Sequence, residues 1–149
     1  MQQLRSFLRS ERFREIFVYG IVGVLTTVIN YIVYFAVGRG IAGLMGVAPS
    51  HAAIILIAKI VAWVAAVAFA FWANKVYVFR SVGWSKDILK RELPGFVSAR
   101  VLSLVFDALF VELAVYLLGM NDLIATLLSN VIVVVLNYFA SKFWIFRKR

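Results

Sequence analysis

The chain contains no cysteine, which excludes disulfides, thiolate nucleophiles and cysteine-ligated metals. Histidine occurs once and acidic residues seven times in 149 positions, too few for a metal cage, so neither metal nor cofactor is expected. His51 stands alone at the edge of an apolar run and reads as a solvated interface residue. Prolines number two. Charged residues make up only 15%, against about a quarter in ordinary soluble domains. What fills the chain instead is apolar: 64% of residues are hydrophobic and mean hydropathy is +0.94. A soluble domain this small leaves much of its surface in water, so a bilayer is the fitting solvent. The composition also excludes a soluble enzyme pocket. Asp107 and Glu112, the nearest thing to a carboxylate pair, lie about 140° apart around a helix and form no dyad. No catalytic residue is expected, and the chain reads as not an enzyme.

The net charge of +9 raises the question of nucleic acid. Its distribution answers it. The basic residues fall in the gaps between apolar runs, where anionic lipid headgroups would meet them, so the expected partners are membrane lipids and not nucleic acid.

A helix needs about 20 apolar residues to cross the hydrocarbon. Four stretches qualify: 16–37, 52–74, 94–118 and 123–141. The first is too long for a signal-peptide core and no A-x-A site follows it, so it reads as a retained helix. Gly38, Gly40, Gly43 and Gly46 read as breaking the chain after the first span. Ser50 reads as the N-cap of the second. Pro94 suits the first turn of the third, and Gly119 to Asp122 makes a tight turn into the fourth.

Orientation follows from Lys and Arg near the span ends. The N-terminal segment carries Arg5, Arg9, Arg12 and Arg14; the central loop carries Lys75, Arg80, Lys86, Lys90 and Arg91; the C-terminal end carries Lys142, Arg147, Lys148 and Arg149. The opposite loops hold Arg39 alone. Both termini are therefore expected in the cytoplasm, with the chain as a multi-pass protein of the cytoplasmic (inner) membrane. Leu4, Phe7 and Leu8 beside Arg5, Arg9 and Arg12, and Trp84, Ile88 and Leu89 beside Lys86, Lys90 and Arg91, are expected to form short interfacial helices on that side.

The string Lys75-Val-Tyr-Val-Phe-Arg80 returns as Lys142-Phe-Trp-Ile-Phe-Arg147. More weakly, Arg14-Glu15, Tyr19 and Asn30 match Arg91-Glu92, Phe96 and Asp107. The fold class expected is thus all-α: a single membrane domain over residues 1–149, built as two tandem helical hairpins, about 13–80 and about 91–147. Both copies of the exit string fall inside, so the repeat is parallel, about an axis along the membrane normal. An aromatic at headgroup level with flanking cations anchors a helix end and meets lipid phosphate.

These motifs resemble those of the GtrA-like family. Phe17-x-x-x-Gly-Ile-Val-Gly23 with Thr27 and Asn30 looks like its opening helix. Asn74-Lys75-x-Tyr-Val-Phe79 looks like its exit motif, and Asn137-x-x-x-Ser141-Lys142-Phe-Trp-Ile-Phe146 looks like the second copy. Ser141 departs from the pattern, which has a second Asn there. The resemblance covers about residues 13–147. It implies a part in cell-surface polysaccharide synthesis: flipping of a polyprenyl-phosphate-linked monosaccharide, on a carrier such as undecaprenyl phosphate, from the inner to the outer leaflet. Some members of the family act instead as non-transporting scaffolds for a membrane glycosyltransferase, which makes such an enzyme a possible partner.

Charges within a span cost about 2.5–3.5 kcal/mol each on insertion scales and mark function by default. Four occur: Lys59, Arg100, Asp107 and Glu112. At ~1.5 Å per residue, Lys59 falls ~10 Å and Glu112 ~9 Å from the outer surface, and the two are expected to form a membrane ion pair. Arg100 falls ~9 Å from the inner surface and Asp107 near mid-membrane. Gly20, Gly23, Thr27, Asn30 and Tyr34 share one helix face; Thr126, Asn130, Asn137 and Ser141 share another, as do Arg100, Ser103 and Asp107. Ala62, Ala66 and Ala70 form a small-residue stripe suited to close helix packing. Given the resemblance, these faces are expected to converge on a polar groove. Arg100, Lys75 and Lys142 would receive the lipid phosphate; Asn30, Asp107, Asn130, Asn137 and Asn74 would bind the sugar. Four helices cannot enclose a wide channel, so a homodimer is expected. A small multidrug exporter, also four helices with a membrane Glu, fits poorly with so one-sided a distribution of Lys and Arg.

Overall fold

The computed structural model describes residues 11–147. The basic amphipathic stretch before Glu11 lies outside the described residues, as do Lys148 and Arg149. Among the described residues the structure is helical, with no strand. Its elements are α1 (Glu11–Met45), α2 (Ala52–Ala73), a π-helical turn π1 (Asn74–Val78), α3 (Lys86–Leu118), α4 (Asp122–Ala140) and a second π turn π2 (Ser141–Ile145). Four helices are long and apolar enough to cross a membrane. In hydrocarbon every backbone N–H and C=O must be satisfied within the chain, so long apolar runs become helices whatever their individual propensities. The chain divides into two compact units after Arg80. Arg80 itself takes a left-handed backbone, φ 48°, which few non-glycine residues adopt and which no helix continues through.

In the first unit, α1 runs on through Gly38, Gly40 and Gly43 to Met45, beyond the end expected at Val37. The glycines do not break it, because a helix in lipid keeps its hydrogen bonds where water would compete for them. The stop is Gly46, whose φ of 64° leaves the helical region, with Val47 N–H closing back on Ala42 O at 3.1 Å. The N-cap of α2 is His51 and not Ser50, and it makes no side-chain cap bond. Ala58, Ala62, Ala66 and Ala70 on α2 are all buried, one residue per turn. A Cβ on Gly38 would lie 3.6 Å from that of Ala58, so α1 and α2 approach closely there.

In the second unit, α3 begins at the N-cap Ser85, whose hydroxyl accepts the Ile88 N–H at 3.4 Å. The helix continues unbroken through Pro94. Residues 86–93, expected as a separate interfacial helix, are its first turns, and Pro94 stands inside the helix instead of opening it. The proline has no N–H to give the Lys90 carbonyl, the one helical bond it forfeits. Gly119, with φ 64°, ends α3 as expected, and the Asn121 side chain caps α4 by accepting from Leu123 N–H at 3.0 Å.

Candidate functional site

The doubled exit string coincides with the two π turns. Each closes with a bond to the carbonyl five residues back: Phe79 N–H to Asn74 O at 2.9 Å, and Phe146 N–H to Ser141 O at 2.8 Å. Single π turns of this kind are frequent at functional sites. Each delivers a phenylalanine onto an aromatic near the start of its own unit. Phe79 packs on Tyr19 (centroids 6.3 Å, 55°) and Phe146 on Phe96 (5.9 Å, 51°). In π1, Lys75 and Asn74 are buried. The Asn74 amide donates to Ala70 O at 2.7 Å, while its Oδ1 has no partner. In π2 the matching position is Ser141, also buried. Lys142 is half-buried; its Nζ donates to the Tyr138 hydroxyl at 3.0 Å and lies 5.3 Å from the centre of that ring.

The second unit gathers the intramembrane polar groups. Ser129 donates to Asp107 Oδ1 at 2.6 Å. The Ser103 hydroxyl lies 3.0 Å from Asn137 Oδ1 and 2.8 Å from Ala99 O; its one proton serves whichever it faces. Asn137 is 3% exposed, and its amide nitrogen, with two protons to give, has no partner. Asn137 is one of the residues that line a cavity of about 500 Å³ between α3 and α4, walled largely by apolar side chains such as Leu102, Phe106 and Leu136. Arg91, Gly95 and Trp144 line the same cavity where α3 begins and π2 ends. Close by, the buried Glu92 carboxylate accepts from Ser81 at 2.8 Å, with Arg91 at 3.9 Å.

Of the residues expected in a polar groove, the structure brings Asn137 and Ser103 to this cavity and ties Asp107 to the same helix pair. Arg100 is half-buried with its guanidinium 5.0 Å from the centre of the Phe96 ring, and is not among the cavity-lining residues. Asn130 is exposed; Ser129, one residue earlier, takes the inward place. Asn30, in the first unit, is half-buried, and the nearby Thr26 and Thr27 hydroxyls bond back to Val22 O and Gly23 O. Lys59 in the first unit and Glu112 in the second are both exposed. The residues not anticipated are Ser129, Tyr138, Ser81 and Glu92. Ser129 had a signal: Ala125 and Ser129 are small, spaced by four and both fully buried. Among the described residues no group of His, Asp or Glu could hold a metal ion.

Comparison with known proteins completes the picture. Residues 18–146 match the family profile described as "GtrA/DPMS, transmembrane domain". The uncharacterized membrane protein YwcD of Bacillus subtilis is 35% identical over 130 residues, covering 87% of this chain and 94% of the relative. The Listeria innocua cell wall teichoic acid glycosylation protein GtcA is 43% identical over 93 residues, covering 62% of this chain and 64% of the relative. A Listeria monocytogenes GtcA is 33% identical over 159 residues, covering 99% and 98%. No solved structure matches.

Proposed function

The chain belongs to the GtrA/DPMS transmembrane-domain family and is a multi-pass membrane protein, and from that premise we propose that it flips a polyprenyl-phosphate-linked monosaccharide from the inner to the outer leaflet of the cytoplasmic membrane. The sugar then serves glycosylation of a cell-surface polymer, teichoic acid being the polymer named for its Listeria relatives. One observation carries the reading. Asp107–Ser129 and Asn137–Ser103 put hydrogen-bonding groups between two apolar helices, beside a cavity that opens among them. Polar groups at membrane depth are expensive, and their presence marks a functional site by default. The role we propose is binding and movement of the lipid, not catalysis.

The two units act as tandem copies of one hairpin, both ending at the cytoplasmic face. Support comes from the paired π turns, the Tyr19–Phe79 and Phe96–Phe146 ring pairs, and the matching back-bonds of Thr26 to Val22 O and Ser103 to Ala99 O. Arg100, Lys75 and Lys142 supply positive charge toward the inner leaflet for the phosphate. Two copies of the chain assemble, since four helices enclose little space. The alternative role, a scaffold that recruits a membrane glycosyltransferase, moves no lipid.

The test is leaflet-resolved transport in liposomes. The purified protein accelerates the appearance of a fluorescent polyprenyl-phosphoglucose in the outer leaflet. A rate equal to that of empty liposomes leaves the scaffold reading in its place.

A further inference from the structure

The two units match in their helices but differ at positions that bear on the α3–α4 cavity. Where the second has Asn137, the corresponding position of the first is Ala70, a buried residue of the alanine stripe. Where the second has Gly95, the first has Val18. The second unit thus carries an amide and a missing side chain where the first is apolar and filled.

Consider what the α3–α4 cavity offers along its length. At its mouth stand the exposed guanidinium of Arg91 and the ring of Trp144, 79% exposed. Deeper, at about two to three helical turns from Ile145, is Asn137 with two N–H donors and nothing to receive them. Between and beyond them the wall is largely apolar, with the hydroxyls of Ser98 and Ser103 set into it. A buried donor left unmade costs about 1–3 kcal/mol, so its persistence points to an acceptor that arrives from outside. An acyl or prenyl chain has no acceptor at that depth. A phosphate-linked sugar does, in its hydroxyl and phosphate oxygens. The volume, about 500 Å³, lies within the range of small-molecule sites, about 300–1,000 Å³.

We infer that the α3–α4 cavity of the second unit is the loading site for the lipid-linked sugar: Arg91 draws the phosphate to the mouth, and the Asn137 amide receives a sugar or phosphate oxygen inside. This rests on the translocase reading for the identity of the cargo. Ser103 is a positioning residue; by engaging Asn137 Oδ1 it holds the carboxamide and leaves the amide nitrogen to a ligand. Trp144, exposed at the mouth, supplies a ring on which a sugar can stack.

Because the chain has no cysteine, one introduced thiol reports one position. Ser98→Cys places it in the cavity wall; Ile21→Cys places it at the matching site of α1. The full-length variants are labelled with N-ethylmaleimide in detergent micelles with farnesyl phosphoglucose, farnesyl phosphate or dioleoylphosphatidylglycerol present. Farnesyl phosphoglucose slows labelling of Ser98→Cys about fivefold or more and leaves Ile21→Cys unchanged. Adding Asn137→Leu raises the farnesyl phosphoglucose concentration for half protection about tenfold, the scale of one lost hydrogen bond. Adding Arg91→Gln weakens both farnesyl probes alike. Where Asn137→Leu does not fold, Ser103→Ala must show a loss in the same direction. Equal protection of Ile21→Cys, equal protection by phosphatidylglycerol, or indifference to these amide-site variants overturns the assignment. Liposome transport separates the two ideas: protection without transport keeps the site and removes the translocase, and transport without protection does the reverse.

Discussion

Ser103 on α3 and Asn137 on α4 meet with the serine oxygen 3.0 Å from the asparagine carbonyl oxygen, leaving the amide nitrogen of a 3%-exposed side chain without a partner. The contact ties the two helices of the second hairpin together at a residue that lines a cavity. It sets the first expectation. Ser103→Ala removes the orienting group and lowers unfolding free energy in mixed micelles by about 0.6 kcal/mol, the mean for hydrogen bonds between membrane helices. The larger effect falls on sugar transfer to the cell surface, which drops severalfold at equal protein level. Unchanged transfer would remove Ser103 from the site.

Asp107 and Ser129 bind each other at 2.6 Å, the shortest polar contact described between α3 and α4. A double-mutant cycle with Asp107→Asn and Ser129→Ala is expected to show coupling of roughly 0.6–1.7 kcal/mol. Additive losses would mean that the pair does not hold the helices together.

Arg100 rests against Phe96, its guanidinium 5.0 Å from the ring centre. Arg100→Ala is expected to abolish surface sugar modification without loss of protein. Arg100→Lys retains part of it, since the charge survives while the planar stacking is lost. Quantifying sugar on purified cell-surface polymer checks both. Normal modification in the alanine variant ends the phosphate role given to this residue.

The ring pairs beneath the π turns stabilise each hairpin separately. Phe79→Leu and Phe146→Leu keep most of the volume and lose the aromatic geometry, each lowering stability by about 0.5–1.5 kcal/mol. Denaturant titration of the purified variants measures it. A neutral result at both positions would show that the rings contribute no more than bulk.

Topology is open to direct measurement in the cysteine-free chain. Thiols introduced at Gly46 and Gly119 should react with an impermeant maleimide added to intact cells, and thiols at Ser81 and Arg147 only after permeabilisation. The reverse pattern would invert the orientation and place the π turns at the outer surface.

The four spans were readable in the sequence because a bilayer asks for little beyond apolar length, and the polar turn at Gly119 to Asp122 supplied the punctuation. Helix ends were harder. Glycines and a proline that would stop a helix in water did not stop α1 or α3, where internal hydrogen bonds have no competitor. The exit strings were visible as repeats, but nothing in their residue types announces a bond to the fifth carbonyl back.

The asparagine face illustrates the remaining division. Helical periodicity grouped Asn130 with Asn137, yet one is exposed and the other buried. The two lie only about 20° apart around the helix, so what separates them is their place along it: at the level of residue 130 it is Ser129 that turns inward, and at 137 it is the asparagine. Sequence alone determined that this chain enters a membrane, how many of its stretches are long and apolar enough to cross it, and which residue types carry polarity there, because those follow from length, composition and charge. Tertiary structure decided which of those residues meet, where a cavity remains and which hairpin holds it, because these depend on the rotation and spacing of packed helices, which no single helix encodes.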